Sequence, residues 1–372
     1  MIKKNLVIYY PSFERGGVEE NIKNLINNFS EKIDVHLISS ISKSHAKNIF
    51  KKKIKIYEVK NNRLLNFLPT RINSALSSML VLFDLTSRLK KKNLIVHSMQ
   101  SNIAAIIICL INNIKIVIRN SENPIYSTYY SENFINSYII FFLKVIFYNL
   151  CSCIITNSVG SKNSLKKFVF NKKKIKTIYN PYLKKINHQN FKKQNIIINV
   201  GRFRKQKNQI LLIRAFYKFS QEYKNYKLFL VGDGVLKQKL KNEINFLKLN
   251  KKVFITGWTL KTTNYIRKSK LFVLTSLYEG LGNVLIDAIN YNVPCISTNC
   301  ESGPKEILLN GRGGFIVKNN NVFELYKKMV FCIKNYELAL KKNKISKKSL
   351  HRFLMSRKVK EYENLLIKFE NK

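Results

Sequence analysis

Acidic residues are scarce in this chain. Its 372 residues hold 21 Asp and Glu against 67 Lys and Arg, a formal net charge of +46. Such an excess favours anionic partners: nucleic acid, an acidic membrane face or a phosphorylated substrate. No Asp-x-Asp pair occurs, so nothing in the sequence supports a metal-dependent mechanism. The six cysteines show neither metal-ligand spacing nor a compact disulfide framework, which fits a reducing cytoplasm. Long uninterrupted apolar runs are missing as well. The first run is cut by Pro11 and Glu14-Arg15, too short for a signal peptide or a membrane span, and reads as a buried strand. The tract 135–156 is interrupted by Lys144, Asn149 and Ser152 and changes period near Cys151, so it reads as a buried helix followed by a buried strand. The lysines are dispersed, and no zinc finger, recognition-helix signature or aromatic RNA-binding strand accompanies them. Many read as solvated filler in a chain saturated with Lys, Asn and Ile, and nucleic acid is not an expected partner.

What the chain does have is alternation. Strand-like runs near 6–10, 35–39, 54–59, 94–97, 116–118, 154–157 and 175–179 are separated by helical segments, the pattern of a doubly wound α/β domain. A polar, basic stretch opening with Asn180-Pro181 lacks periodicity and reads as a linker. Alternation then restarts, with strands near 196–200, 227–231, 253–256, 271–274, 294–297 and 315–317. The expected organisation is a first Rossmann-like domain over 1–180, a linker over 181–194, a second Rossmann-like domain over 195–350, and a C-terminal helix over 351–372 that packs back on the first domain. The carboxyl ends of the two sheets are expected to face each other across a cleft.

Five loops carry candidate chemistry. Arg15-Gly16-Gly17-Val18-Glu19 follows the first strand, where glycines admit a ligand and a helix start offers N–H groups to an anion. A Gly-Gly pair is also simply a turn. Gly201-Arg202-Phe203-Arg204-Lys205-Gln206-Lys207-Asn208 lies between a buried strand and a helix, so Arg202 and Lys207 can converge on a pyrophosphate. In so basic a chain, each is equally read as surface charge. Val231-Gly232-Asp233-Gly234 ends a strand with room for a base or sugar. Glu279-Gly280-Leu281-Gly282-Asn283 leads into a helix carrying Asp287, and the two carboxylates, eight positions apart, can touch different parts of one ligand. In Ser302-Gly303-Pro304-Lys305-Glu306, Ser302 reads as a helix cap.

GRFRKQKN, VGDG, FITGW, YEGLGNVLIDA, VPCIST and SGPKEIL stand in the order and spacing of glycosyltransferase family 4, and RGGVE extends the match towards the amino terminus. The chain thus resembles the retaining nucleotide-sugar enzymes of that family, of the bacterial surface-polysaccharide type. The resemblance implies a B-type fold of two facing Rossmann domains and no metal cofactor. It places Arg202 and Lys207 on the donor diphosphate, Glu279 on the sugar hydroxyls and Asp287 on the ribose. It also places Gly16 and Gly17 near the transferred sugar and phosphate, and the turn amides of Gly280, Leu281, Gly282 and Asn283 on phosphate oxygens; Asp233 joins the donor-binding set. Two departures stand out. The second acidic position holds Asp287 where the family usually has Glu. The first-domain histidine expected after 117–119 is replaced by Asn120-Ser121-Glu122-Asn123-Pro124, which leaves Glu122, Asn123 and His97 as first-domain candidates.

The implied activity is transfer of a hexose or N-acetylhexosamine from a nucleotide-diphosphate donor, expected to be a UDP-sugar, to a lipid-linked cell-surface glycan, with retention. The expected location is the cytoplasmic face of the inner membrane. Two alternatives stay open: a nucleotide-sugar enzyme with a soluble acceptor or a non-transfer reaction, and a nucleic-acid-binding or scaffold protein with an inactive cleft. Basic and apolar residues interleave over Arg63-Leu64-Leu65-Asn66-Phe67-Leu68-Pro69-Thr70-Arg71, and aromatics crowd Tyr126, Tyr129, Tyr130 and Phe134. This first-domain surface is a candidate for contact with anionic lipid, with core packing as the alternative.

Overall fold

The computed structural model describes residues 3–13, 16–67 and 69–369, without the side chains of Leu65 and Arg71. Glu14, Arg15 and Leu68, all named above, lie outside the described residues. The chain divides into two compact units. One comprises Met1–Asn157, Ser161–Lys184 and Phe353–Lys372; the other comprises Ser158–Gly160 and Lys185–Arg352.

The first unit is built on β1 (Lys4–Tyr9), β2 (Ile33–Ser39), β3 (Lys55–Glu58), β4 (Leu94–Ser98), β5 (Ile116–Asn120), β6 (Cys153–Thr156) and β7 (Ile175–Thr177). They pair in the order β3-β2-β1-β4-β5-β6-β7, and every pairing among the described residues is parallel. Parallel strands are covered on both faces, so β4, β5 and β6 are buried at every position. One face packs Ile22, Leu25 and Ile26 of the helix Gly17–Asn28 with Val359, Tyr362 and Leu366 of the helix Met355–Ile367. The other packs Leu82 and Leu85 of the helix Thr70–Arg88 with Ala105, Ile106 and Cys109 of the helix Asn102–Ile111.

The second unit holds β8 (Gln194–Val200), β9 (Lys227–Val231), β10 (Val253–Gly257), β11 (Ser269–Leu274), β12 (Cys295–Thr298) and β13 (Phe315–Val317). Their order is β10-β9-β8-β11-β12-β13, again parallel throughout the described pairings. Counted within each unit, the orders run 3-2-1-4-5-6-7 and 3-2-1-4-5-6, the doubly wound Rossmann order with one further strand at the edge of the first sheet. In such a sheet the connections leave in opposite directions from the first and fourth strands, which opens a crevice beyond their carboxyl ends. In the second unit, the loops after β8 and β11 border that point.

Two sequence expectations change. The strand Cys153–Thr156 is buried, as expected, but the helix Phe134–Phe147 before it has no buried residue. It packs on the helix Asn102–Ile111 along one flank, and Ile135, Ile139, Phe142 and Ile146 on its outer side are exposed. Ser302 does not cap the short helix Pro304–Ile307. Gly303 stands at its N-cap without a side-chain hydrogen bond, and the Ser302 hydroxyl is used elsewhere.

Candidate nucleotide-sugar site

The chain leaves β8 at Val200 and turns at Gly201, whose N–H donates to the Val231 carbonyl at 3.0 Å. The Phe203 N–H donates to the Asp233 carbonyl at 2.8 Å, so the loops after β8 and β9 are stitched side by side. Gly232 is required at this seam. Its φ is +151°, and an added Cβ would lie 2.0 Å from the Gly201 carbonyl oxygen. A short turn, Lys205–Lys207, then leads into the helix Gln209–Glu222.

The loop after β11 runs beside this turn. Leu277 N–H donates to the Gln206 carbonyl at 2.8 Å, the Thr275 hydroxyl to the Lys207 carbonyl at 2.9 Å, and the Gln206 amide to the Tyr278 carbonyl at 3.0 Å. These bonds fix Lys207 against Glu279. The Lys207 ammonium is ion-paired to the Glu279 carboxylate, and the Ser276 hydroxyl donates to the same Oε1 at 2.7 Å. Glu279 is only 6% exposed. A buried carboxylate is tolerated when paired and hydrogen-bonded, and this one is both. An ammonium has three donors, so Lys207 keeps capacity for further oxygens while its position is set by Glu279.

The backbone around Glu279 is held from below. Ser302 Oγ donates to the Glu279 carbonyl at 2.6 Å. Gly303 adopts φ +75°, and a Cβ there would meet the Leu281 carbonyl oxygen at 2.4 Å, so the 302–304 turn lies flat against the 279–282 loop. That loop enters the helix Asn283–Asn290, whose N-cap, Gly282, offers no side-chain acceptor. The first amides of a helix lack intrahelical partners and carry the positive end of its dipole. This start is therefore suited to phosphate oxygens. Leu281 is buried and contributes packing besides its amide. Asp287, one turn into the helix, is 9% exposed.

The remaining expected residues fall as follows. Arg202 is half-buried in the loop after β8, and its carbonyl accepts from the Gln209 amide at 3.2 Å. Asp233, half-buried after β9, accepts from its neighbour Gly234 N–H and from Lys237 Nζ, both at 2.8 Å. Lys237, and then the Gly234 N–H, hold its carboxyl below the usual carboxylate range. Lys207, Glu279 and the Gly280–Asn283 turn thus come together at the switch point of the second unit, with the Asp233 loop stitched alongside.

In the first unit, Gly16 is the N-cap of the helix Gly17–Asn28, and open space surrounds the Cα of Gly17. The Tyr10 hydroxyl donates to Glu19 Oε1 at 2.8 Å, which anchors that helix start to the end of β1. Glu122 is exposed, whereas Asn123 is buried and spends its side-chain oxygen on the N–H groups of Ile125 and Tyr126 at 3.2 Å. His97 is buried at the end of β4 with its ring 6.0 Å from that of Tyr362. Its Nδ1 lies 3.1 Å from the Val117 carbonyl, and burial lowers its pKa to about 4. His97 is therefore neutral near pH 7.

Ser276, Gln206 and Ser302 were not picked out as parts of this network; the signal available was only their position three residues or fewer from the charged pair or the glycine turn. Arg119 was also missed. It is 1% exposed at the end of β5, with Nε donating to Ser121 Oγ at 3.2 Å, Nη2 bonded to Asn180 Oδ1 and its guanidinium carbon 5.5 Å from the Tyr362 ring centroid. A cation closing an apolar strand was the readable sign.

Two parallel sheets of this order, the second with a glycine-rich helix start at its switch point, match the architecture of the B-type glycosyltransferases. Solved structures agree on the fold. Anabaena HepE in complex with UDP-glucose superposes with a TM-score of 0.76 at 16% identity, covering 98% of this chain and 100% of that one. A family model described as "Glycosyltransferase Family 4" matches residues 15–182, and one described as "Glycosyl transferases group 1" matches residues 183–349. The chain belongs to glycosyltransferase family 4. Among curated relatives, an uncharacterized glycosyltransferase of Methanocaldococcus jannaschii is 34% identical over 234 residues, 58% of this chain and 57% of that protein. The N-acetylgalactosamine-N,N'-diacetylbacillosaminyl-diphospho-undecaprenol 4-alpha-N-acetylgalactosaminyltransferase of Campylobacter jejuni is 31% identical over 228 residues, 59% of this chain and 61% of that protein. The chain thus spans about three-fifths of the length of these relatives.

Proposed function

We propose that this protein is a retaining glycosyltransferase that moves a hexose or N-acetylhexosamine from a UDP-sugar to a lipid-linked glycan. The observation that carries the reading is the Lys207–Glu279 pair, held at the switch point of the second unit beside an uncapped helix start. In the proposed reaction an acceptor hydroxyl bonds to the anomeric carbon as the bond from that carbon to the diphosphate oxygen breaks. Negative charge grows on the departing UDP, and the acceptor proton passes to the departing diphosphate oxygen as the new glycosidic bond forms. Arg202, Lys207 and the amides of Gly280 to Asn283 stabilise the growing charge, an interaction class that is worth a few kcal/mol per donor in a dry site. Glu279 orders the sugar hydroxyls, and Asp287 accepts from the ribose. Asp233 and the Gly16-Gly17 turn complete the donor contacts, with Glu122 the first-domain group exposed enough to reach a substrate.

The lipid-linked acceptor is supported by the diphospho-undecaprenol in the Campylobacter relative's name, and the UDP donor by the UDP-glucose bound to the Anabaena neighbour. This acceptor would bring the protein to the cytoplasmic face of a membrane. The test is a panel of UDP- and GDP-sugars mixed with a polyprenyl-diphosphate-linked saccharide. The reading requires nucleoside diphosphate release that depends on acceptor and one UDP-sugar, and an anomeric proton signal of unchanged configuration. Release that ignores the acceptor, or product from a soluble sugar alone, overturns the lipid-linked reading.

A further inference from the structure

Apolar side chains belong in a core, yet one layer of the first unit displays them. The helix Phe134–Phe147 reads FINSYIIFFLKVIF, with Lys144 its single charge and none of its residues buried. Ile135, Ile139, Phe142 and Ile146 form an exposed row at helical spacing, Ile135 at 71% and Phe142 at 63%. The helix Thr70–Arg88 has a second row of the same spacing, Ile72, Leu76, Leu80 and Phe83, all exposed. Both helices pack against the helix Asn102–Ile111, which ends in exposed Leu110 and Ile111. The rows therefore share the outer side of one helical layer. A contiguous apolar surface of this kind marks a partner.

The charge around the surface identifies that partner. Segments 70–93, 102–115, 122–152 and 166–174 contain twelve Lys or Arg and three acids, Asp84, Glu122 and Glu132. Asp84 is paired with Arg88. Lys90, Lys91, Lys92 and Lys115 follow the carboxyl ends of two of the helices, and exposed Lys166, Lys167, Lys172 and Lys173 flank the protruding Phe170. A second copy of the chain would bring the same cations face to face. An anionic bilayer complements them and accepts the apolar rows. Spanning is excluded for this helix: fourteen residues rise about 21 Å, short of the ~30 Å hydrocarbon core. Among the described residues no helix is long and apolar enough to cross a membrane.

We infer that the outer side of this layer, centred on the helix Phe134–Phe147, is a membrane-interface surface that lies in the headgroup region of anionic lipid. The surface expected from sequence at 63–71 and 126–134 adjoins it in the chain, and Leu64, Phe67, Tyr129 and Phe134 are exposed. The inference deepens the lipid-linked-acceptor reading and rests on it only for purpose, since such a surface holds the protein where that acceptor lies.

Flotation of the full chain with phosphatidylglycerol-containing and with pure phosphatidylcholine vesicles tests it, alongside the double variant Ile135→Glu/Phe142→Glu. Wild type should float with the anionic vesicles, at least about tenfold less with neutral ones or at ~0.5 M salt. The variant should stay in the dense fraction while keeping its melting temperature and UDP binding. Wild type that stays dense, or a variant that floats equally well, overturns the inference. So does a wild-type dimer that the variant converts to monomer without lipid binding, because a second copy is then the occupant. Transfer to a detergent-solubilised lipid-linked acceptor is measured in parallel: transfer without flotation sinks only the surface, and flotation without transfer sinks only the acceptor reading.

Discussion

The helix Asn283–Asn290 carries Asp287 and two asparagines, and six of its eight residues are buried. The helix Phe134–Phe147 carries eleven apolar residues out of fourteen, and none is buried. The first is enclosed because the helices Pro304–Ile307 and Tyr336–Lys348 pack on it over β11 and β12. The second is an outermost layer of its sheet. Composition sets what burial costs, but position in the layers sets whether burial happens. Each exception has a chemical reading: buried polar groups in the second unit fit a charged ligand, and exposed apolar groups in the first fit a lipid surface.

The comparison breaks most directly at the charged pair. Arg202→Ala or Lys207→Ala should lower turnover at least about a hundredfold, the loss typical of one transition-state charge stabiliser. Melting temperature should change little for Arg202→Ala. Initial rates of UDP release check this; near-normal rates in both variants would return these cations to the class of surface charge.

The division of labour within the second unit sharpens it. Glu279→Gln should mainly lower kcat, and Asp287→Ala should mainly raise the Kd for UDP, by about tenfold for one lost bond to a charged group. Titration of UDP against each variant separates the two, and equal losses of UDP affinity would show that both carboxylates serve the nucleotide.

Much of this architecture was legible beforehand because parallel strands buried on both faces leave short apolar runs bounded by glycine and polar turns. The loops at 201–208 and 279–283 were legible for a related reason: few residue types admit close backbone approach and charge at a strand end. The exposure of Phe134–Phe147 was not legible. An apolar run shows that a segment avoids water and does not show what covers it. Ser302 was misread as a cap because its neighbour, Gly303, takes φ +75° and turns the hydroxyl toward the Glu279 carbonyl. Arg119 escaped because two of its partners, Asn180 and Tyr362, are distant along the chain.

A smaller effect concerns the turn beneath the site. Gly303→Ala places a Cβ at 2.4 Å from the Leu281 carbonyl oxygen, in a backbone region that alanine disfavours. The expected cost is about 1–3 kcal/mol, read by urea denaturation, together with weakened UDP binding. Unchanged stability and affinity would mean that the turn does not support the 279–282 loop.

The last contrast is in pH response and belongs to the first unit. His36 and His97 are buried there, and burial lowers each to about pKa 4 from an ordinary 6.5. The unfolded chain binds protons that the folded one refuses between those values. Stability is therefore full above about pH 6.5 and falls as pH drops towards 4, each unit of separation being worth ~1.4 kcal/mol per group. Melting curves from pH 7 to pH 5 should show this fall, reduced in His36→Gln/His97→Gln relative to its own value at pH 7; an equal fall in the variant assigns the acid sensitivity to other groups.

The most direct measurement of the account is hydrogen exchange of the full chain with and without the UDP-sugar that the panel selects. Binding at the switch point of the second unit requires slowed exchange at residues 201–208 and 279–285, where the loops after β8 and β11 meet the donor. Protection confined to the first unit, or absent from both loops at saturating donor, would contradict it.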